Sequence, residues 1–164
     1  MPTEPPSSYG ALSTQVDLDD VRSIDAIIRA LYEAVSFEGG RGPDLGRLRG
    51  LVDPRCRLIK VLADGRYLEG DVDGYAATVG QRIEAGLVGF DERELFRRTE
   101  VYGGIAQVFT TYEARSTTDV GERSVRGINS VQLRNDGHRW WLLSIFWTDE
   151  EEGSPIPAAY LPRA

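Results

Sequence analysis

Two short polar side chains, Asn129 and Ser144, stand among aromatic and aliphatic residues in the segment RGINSVQLRNDGHRWWLLSIFW, residues 126–147. The dipeptide Asp136-Gly137 is typical of a two-residue hairpin turn, and counting outward from it places Asn129 opposite Ser144. An amide left unpaired in apolar surroundings costs about 1–3 kcal/mol, so these groups need hydrogen-bond partners. They could bond each other, bond a buried water, or present hydrogen bonds to a ligand.

Two tyrosines are further candidates for polar contacts. Tyr32 and Tyr75 each flank the apolar stripe of a predicted helix, so their hydroxyls could reach into a cavity beneath the helices. The alternative is a tyrosine packed in the core with its hydroxyl at the rim.

Catalytic chemistry finds little support in the pattern of titratable residues. A histidine–aspartate pair for proton transfer is not expected, because the single histidine, His138, falls in the predicted turn. The carboxylates considered as a general base are on predicted strands: Glu94, Glu100 and Glu113. Counting from Gly103-Gly104 places all three on one face with an arginine and a glutamine, which is typical of an ion-pair surface. The sequence therefore predicts no catalytic residue.

Metal and cofactor sites are not predicted either. Cys56 and His138, the only cysteine and histidine, lack the spacing of metal ligands. The glycine-rich stretch EGGRGPDLG has neither a preceding strand nor the Lys-Ser/Thr pair of a phosphate-binding loop.

Composition narrows the classes of partner and compartment. The chain has 164 residues, a net charge of −7 and a pI near 4.8, so its field would repel nucleic acid and anionic membrane surfaces. No apolar run approaches the ~20 residues of a membrane-spanning helix. A start without a basic region followed by an apolar one indicates a cytoplasmic protein.

The periodicity of apolar residues predicts helices first and strands second, as in an α+β fold. Helices are expected over 17–36, over 45–51 and from Asp71 or Asp73, with a strand through CRLIKVL between the second and third. Strands then follow around 92–102, 105–117, 123–134 and 139–148. The expected organisation is a flexible leader (1–16), one domain (17–149) and an acidic, proline-containing extended tail (150–164).

This order of elements, together with VFTTYEAR, RGINSVQL, DGHRWWLLSIFW and PIPAAYLP, resembles the nuclear transport factor 2-like superfamily. The superfamily is also called SnoaL-like or cystatin-like, and the match is to an uncharacterised bacterial branch. The resemblance implies three N-terminal helices packed on a curved antiparallel sheet that forms a cone. It also implies a homodimer formed through the outer face of the sheet.

In such cones the first tryptophan after the last turn points inward, which implies a cavity lined by Trp140, Ser144, Phe146 and Asn129, with Tyr32 and Tyr75 above them. The leading hypothesis is a protein that binds a small apolar ligand there without catalysis. One alternative is an isomerase, dehydratase or cyclase that uses no metal, since ketosteroid isomerase and scytalone dehydratase belong to the superfamily. The other is a dimerisation or protein-interaction module.

Overall fold

The computed structural model describes residues 16–163, so the predicted leader, apart from Val16, lies outside the described residues. The helices are α1 (Leu18–Val21), α2 (Ile24–Val35), α3 (Leu45–Leu51), α4 (Val72–Glu84) and a 3-10 turn (Ala158–Tyr160). The strands are β1 (Val52–Val61), β2 (Tyr67–Gly70), β3 (Leu87–Tyr102), β4 (Ile105–Thr118), β5 (Gly121–Asn135) and β6 (Trp140–Asp149).

The first predicted helix is two helices, α1 and α2. Ser23 interrupts it with an extended backbone, and its hydroxyl accepts a hydrogen bond from the Ala26 amide at 3.1 Å, as an N-cap does. The break lets α2 turn its apolar side, including Ile27 and Ile28, fully into the core. Helix α4 begins at Asp71, one of its two predicted caps, and α3 begins at Asp44, a cap that was not predicted.

The strands form one six-stranded sheet in the order β2-β1-β6-β5-β4-β3. The α+β class is confirmed, with one refinement: β1 runs parallel to β6, while every other pairing is antiparallel. The intervening helix and meander supply the long connection that a parallel pair requires. The edge strand β2 was not predicted.

The predicted register of the β5–β6 hairpin is wrong. The turn contains four residues, and Asn135 pairs with Trp140. The Asp136 carboxylate holds this wider turn by accepting hydrogen bonds from the amides of His138 and Arg139, both at 2.9 Å. Side-chain hydrogen bonds of this kind compete with the two-residue geometry that Asp-Gly favours.

A bulge in β6 then exchanges the two faces of that strand. Leu133 pairs with Leu142, but Gln132 pairs with Ser144, so one extra residue is inserted at Leu143. The predicted facing pair of Asn129 and Ser144 is therefore not formed, because Asn129 lies opposite Trp147.

The helices cover the inner face of the sheet, and the C-terminal segment lies on the outer face. There the Tyr160 ring packs edge-on against Phe109, with 5.0 Å between ring centroids. The Thr111 hydroxyl donates to the Tyr160 carbonyl oxygen at 2.6 Å. None of the helices within residues 16–163 is long and apolar enough to cross a membrane.

Candidate functional site

A cavity of about 910 Å³ lies between the inner face of the sheet and helices α2 and α4. Most of its wall is apolar, formed by side chains such as Leu31, Leu58, Phe90, Ile145 and Trp147. The exposed side chains of Leu68 and Val120 also border it, so the cavity opens to solvent at that end. Volume and lining are those of a site for a small organic molecule.

Glu92 places a carboxyl group in this apolar wall. It lies on the inner face of β3, where its amide donates to the Ser36 hydroxyl at 3.0 Å and fixes the backbone. Burial, reinforced by the nearby Asp149, raises the pKa of Glu92 to about 7, although the hydrogen bond from Asn129 opposes the shift. Near neutral pH this group therefore exists in both protonation states.

The sequence interpretation missed Glu92 because β3 also contains a bulge. Glu100 pairs with Gln107 on the outer face as expected, but the extra residue Leu95 lies between Glu94 and Phe96 and reverses the alternation. Glu94 and Glu92 consequently face inward. Glu113, paired with Arg93 at 2.6 Å, lies on the outer face. An irregularity of this kind has no signal in the local sequence.

Asn129 connects Glu92 to a chain of hydroxyl groups behind the cavity wall. Its amide nitrogen lies 3.4 Å from Glu92 Oε1 and 3.2 Å from the Tyr32 hydroxyl. The Tyr32 hydroxyl lies 3.0 Å from Thr110 Oγ1, which donates to Glu94 Oε2 at 2.6 Å. Burial, with the charge of Glu92, raises the pKa of Tyr32, so this hydroxyl keeps its proton.

The direction of each hydrogen bond in this chain is determined. Arg97 binds the Glu94 carboxylate at 2.8 Å, and an ionised carboxylate only accepts. Thr110 therefore gives its one proton to Glu94, and Tyr32 gives its own to Thr110. The Tyr32 oxygen accepts from Asn129, so the amide nitrogen faces Tyr32 and Glu92.

A second polar group of the wall is formed by Lys60, Tyr112 and Asp149. Asp149 accepts hydrogen bonds from Lys60 Nζ and from the Tyr112 hydroxyl, both at 2.7 Å. Burial and the hydrogen bond to Asp149 raise the pKa of Tyr112. The charges of Lys60 and Asp149 therefore cancel within the pair.

Tyr75 lines the cavity from α4, and its hydroxyl has no hydrogen-bond partner among residues 16–163. Burial, followed by the charge of Glu92, raises the pKa of Tyr75. Its phenolic proton is therefore available to a molecule in the cavity.

The six predicted site residues have different locations. Asn129 and Tyr75 line the cavity, and Tyr32 lies directly behind Asn129. Trp140 faces inward as expected but packs against the core and does not line the cavity. Ser144 and Phe146 are on the outer face because of the bulge at Leu143, so their predicted place in the cavity wall is wrong. Ile145 and Trp147 lie in the cavity wall, where Ser144 and Phe146 were expected.

Metal-ligating geometry is not found in the described part of the chain, where no three histidine, cysteine, aspartate or glutamate residues form a group that could hold an ion. Cys56 is buried, and this burial raises the pKa of its thiol to about 12. Such a thiol is a poor nucleophile at neutral pH.

No family model matches the sequence, and no curated protein is significantly similar to it. Among solved structures, a candidate dehydratase of the NTF2-like family from Streptomyces avermitilis has a TM-score of 0.57 at 18% identity, covering 82% of this chain and 94% of its own. A cystatin-like protein from Caulobacter vibrioides has a TM-score of 0.57 at 13% identity, covering 79% and 89%.

A third structure, an NTF2-like protein of unknown function from Silicibacter pomeroyi, has a TM-score of 0.53 at 15% identity and covers 77% of this chain and 92% of its own. Similarity at these identities concerns the fold and not a specific activity. The helices on one face of a curved sheet, the cavity between them and these three likenesses agree, and the chain has the NTF2-like, cystatin-like cone fold.

Proposed function

We propose that this protein binds a small, largely apolar molecule in the cavity, with Glu92, Asn129 and Tyr75 as its polar contacts. The observation that carries the proposal is the placement of a carboxyl group and a phenol, the latter without a hydrogen-bond partner among residues 16–163, in a mostly apolar wall that opens to solvent. Few polar groups converging in an apolar pocket are typical of ligand sites.

The position of Glu92 lowers the free energy of unfolding of the protein. A carboxylate without a cation or several donors is costly in an apolar wall, and its only side-chain hydrogen bond among residues 16–163 is the long one from Asn129. A structural role is better served by a well-paired carboxylate such as Glu94. The unsatisfied capacity of Glu92 is therefore attributed to a ligand.

Proton transfer is the second candidate function, and it rests on the pKa of Glu92. A carboxyl group that titrates near 7 can act as general acid or base at neutral pH, and the Tyr75 phenol could stabilise an oxyanion nearby. Among the reactions expected from the resemblance, the isomerase type needs this combination of a carboxylate base and a phenol. Glu92 would take the role that the sequence sought in Glu94, Glu100 or Glu113.

We further propose that the protein pairs through the outer face of the sheet in the cytoplasm. Phe146 and Phe109 are 46% and 37% exposed there, and the half-buried Ile59, Ile128 and Trp141 lie on the same face. An apolar surface of this kind is typical of a contact between subunits. The cytoplasmic location depends on the sequence argument only.

Native mass spectrometry of freshly purified protein tests the binding function directly. We expect a discrete additional mass that is lost in Thr78→Trp, because Thr78 lies on α4 at the exposed side of the cavity and an indole there would block entry. Gln132→Trp places the same side chain on the outer face and is the matched control. Equal occupancy in the two variants would contradict binding in this cavity.

A further inference from the structure

Amide and hydroxyl donors are almost exhausted around Glu92. Both amide protons of Asn129 are used, one towards Tyr32 and one towards Glu92. The Tyr32 hydroxyl donates its proton to Thr110, and the Tyr112 hydroxyl donates its proton to Asp149. The phenol of Tyr75 is the one hydroxyl donor left by this count among the described residues.

Acceptors, in contrast, remain available. Neither the second carboxylate oxygen of Glu92 nor the carbonyl oxygen of Asn129 has a hydrogen-bond partner within residues 16–163. A carboxylate offers about four lone-pair positions, and an amide oxygen offers two. The hydrogen-bond chain from Asn129 through Tyr32 and Thr110 to Glu94 fixes the orientation of the Asn129 amide. The amide therefore cannot flip and exchange the positions of its oxygen and nitrogen.

Within the described part of the chain, the charged groups around Glu92 also leave its carboxylate without a direct ion pair. The groups that face it are Tyr32 from α2, Tyr75 and Arg82 from α4, Lys60 from β1, Tyr112 from β4 and Asp149 from β6. Lys60 is neutralised by Asp149 at 2.7 Å. Arg82 donates to the Ser116 hydroxyl at 3.2 Å and lies over the Phe90 ring, 5.8 Å from its centroid. The ionised Glu92 thus has no ion-pair partner of its own among residues 16–163, and the charge of Lys60 acts on it only from within the pair with Asp149.

Aromatic rings complete the surroundings. Tyr75, Phe90, Tyr112 and Trp147 all line the cavity together with Glu92. The faces of such rings attract cations, most strongly where water is excluded. A carboxylate together with aromatic rings is a chemical environment that suits an ammonium group.

We propose that the ligand is an apolar molecule carrying a protonated amine, whose N–H groups donate to the Glu92 carboxylate and to the Asn129 carbonyl oxygen. This inference rests on the proposed binding function and specifies its ligand class. A neutral carbonyl compound would instead need donors, and beside Glu92 these are the Tyr75 phenol, the protonated form of Glu92 and the ammonium group of Lys60, which is paired with Asp149.

Isothermal titration calorimetry with three probes of one skeleton tests the inference: 1-adamantanemethylamine, 1-adamantanemethanol and 1-adamantanecarboxylate. At pH 8 the amine should bind the wild type about tenfold or more tightly than the alcohol, because a charge-assisted hydrogen bond is added. The carboxylate should bind more weakly than the alcohol. Lowering the pH to 6 should weaken amine binding, since Glu92 is then mostly protonated.

Glu92→Gln should bring the affinity of the amine down to that of the alcohol while leaving the alcohol itself nearly unchanged. Glu122→Gln, which removes a carboxylate from the exposed rim, is the matched control and should retain the preference. Equal binding of amine and alcohol by the wild type, or a preference that survives Glu92→Gln, would overturn the inference and leave the binding function standing. Failure of all three probes to bind the wild type would overturn both.

Discussion

The hydroxyl of Tyr112 crosses strand β5 at Gly127, where the neighbouring strand has no side chain. Tyr112 and Gly127 are partners in the β4–β5 ladder, and a Cβ atom on Gly127 would clash with the Tyr112 hydroxyl and with the Thr148 carbonyl oxygen. This space lets the hydroxyl reach Asp149 at 2.7 Å, which in turn holds Lys60. A glycine on one strand thus positions a charged pair on the two strands beyond it.

Gly127→Ala should displace Tyr112 and lower the free energy of unfolding by about 1–3 kcal/mol, the usual range for overpacking a close contact. Urea denaturation followed by tryptophan fluorescence measures the change. Gly80→Ala is the matched control, because nothing lies within 4 Å of a Cβ at that helical position, and it should stabilise the protein by about 0.5–1 kcal/mol. Similar effects of the two variants would show that the close approach at Gly127 is unimportant.

Thr110→Val should raise the pKa of Glu92 above its wild-type value. Without the threonine hydroxyl, Tyr32 loses its acceptor and turns its proton to Asn129, whose amide must then rotate and present oxygen to both neighbours. Glu92 thereby loses the donor that stabilises its carboxylate. A pH titration of side-chain carboxyl carbons by NMR, with Glu92→Gln to assign the signal, measures the shift.

Thr110→Ser keeps the hydroxyl and serves as the control for the network. Its Glu92 titration should match that of the wild type, although the lost methyl group costs some stability in a fully buried position. If the valine variant also titrates like the wild type, the hydroxyl chain does not orient Asn129.

The stability of the wild type should fall as the pH rises from about 4.5 to about 7. Because the pKa of Glu92 is raised to about 7 in the folded state, the folded protein binds this proton more tightly than the unfolded chain does in that window. Above pH 7 both states are ionised, and the full cost of the buried charge is present.

Glu92→Gln should therefore gain stability relative to the wild type, by about 1–3 kcal/mol more at pH 8 than at pH 5. Chemical denaturation of both proteins at the two pH values gives this difference. A difference between variant and wild type that does not depend on pH would refute the raised pKa.

Phe146→Asp should convert a dimer into a monomer if the outer face of the sheet forms the subunit contact. Phe146 is 46% exposed on that face, and a carboxylate buried there in two copies would carry a large desolvation cost. Light scattering after size-exclusion chromatography reports the mass. Val120→Asp, at a position 92% exposed beside the cavity, should remain dimeric. A monomeric wild type, or a dimeric Phe146→Asp protein, would argue against this interface.

Local signals explain which parts of the fold were predictable. The capping residue Asp71 and the turn at Gly103-Gly104 act within a few positions of the chain, and both are in their predicted roles. Ser23 is equally local, but the apolar stripe on both sides of it favoured one continuous helix. The unpredicted edge strand β2 contains exposed residues and pairs only with β1, so it lacks the buried alternation that identifies a strand.

The sequence by itself determined the α+β class and the order of most elements, because hydrophobic periodicity, helix caps and turn residues specify elements and their order. The cone was expected from the resemblance, and Asn129 and Tyr75 do line the cavity. Tertiary structure alone decided which carboxylate enters the cavity. Each bulge, at Leu95 in β3 and at Leu143 in β6, exchanges the faces of all residues beyond it, and its position depends on pairing between distant strands. For that reason Glu92 faces the cavity, and Ile145 and Trp147 lie in the wall where Ser144 and Phe146 were expected.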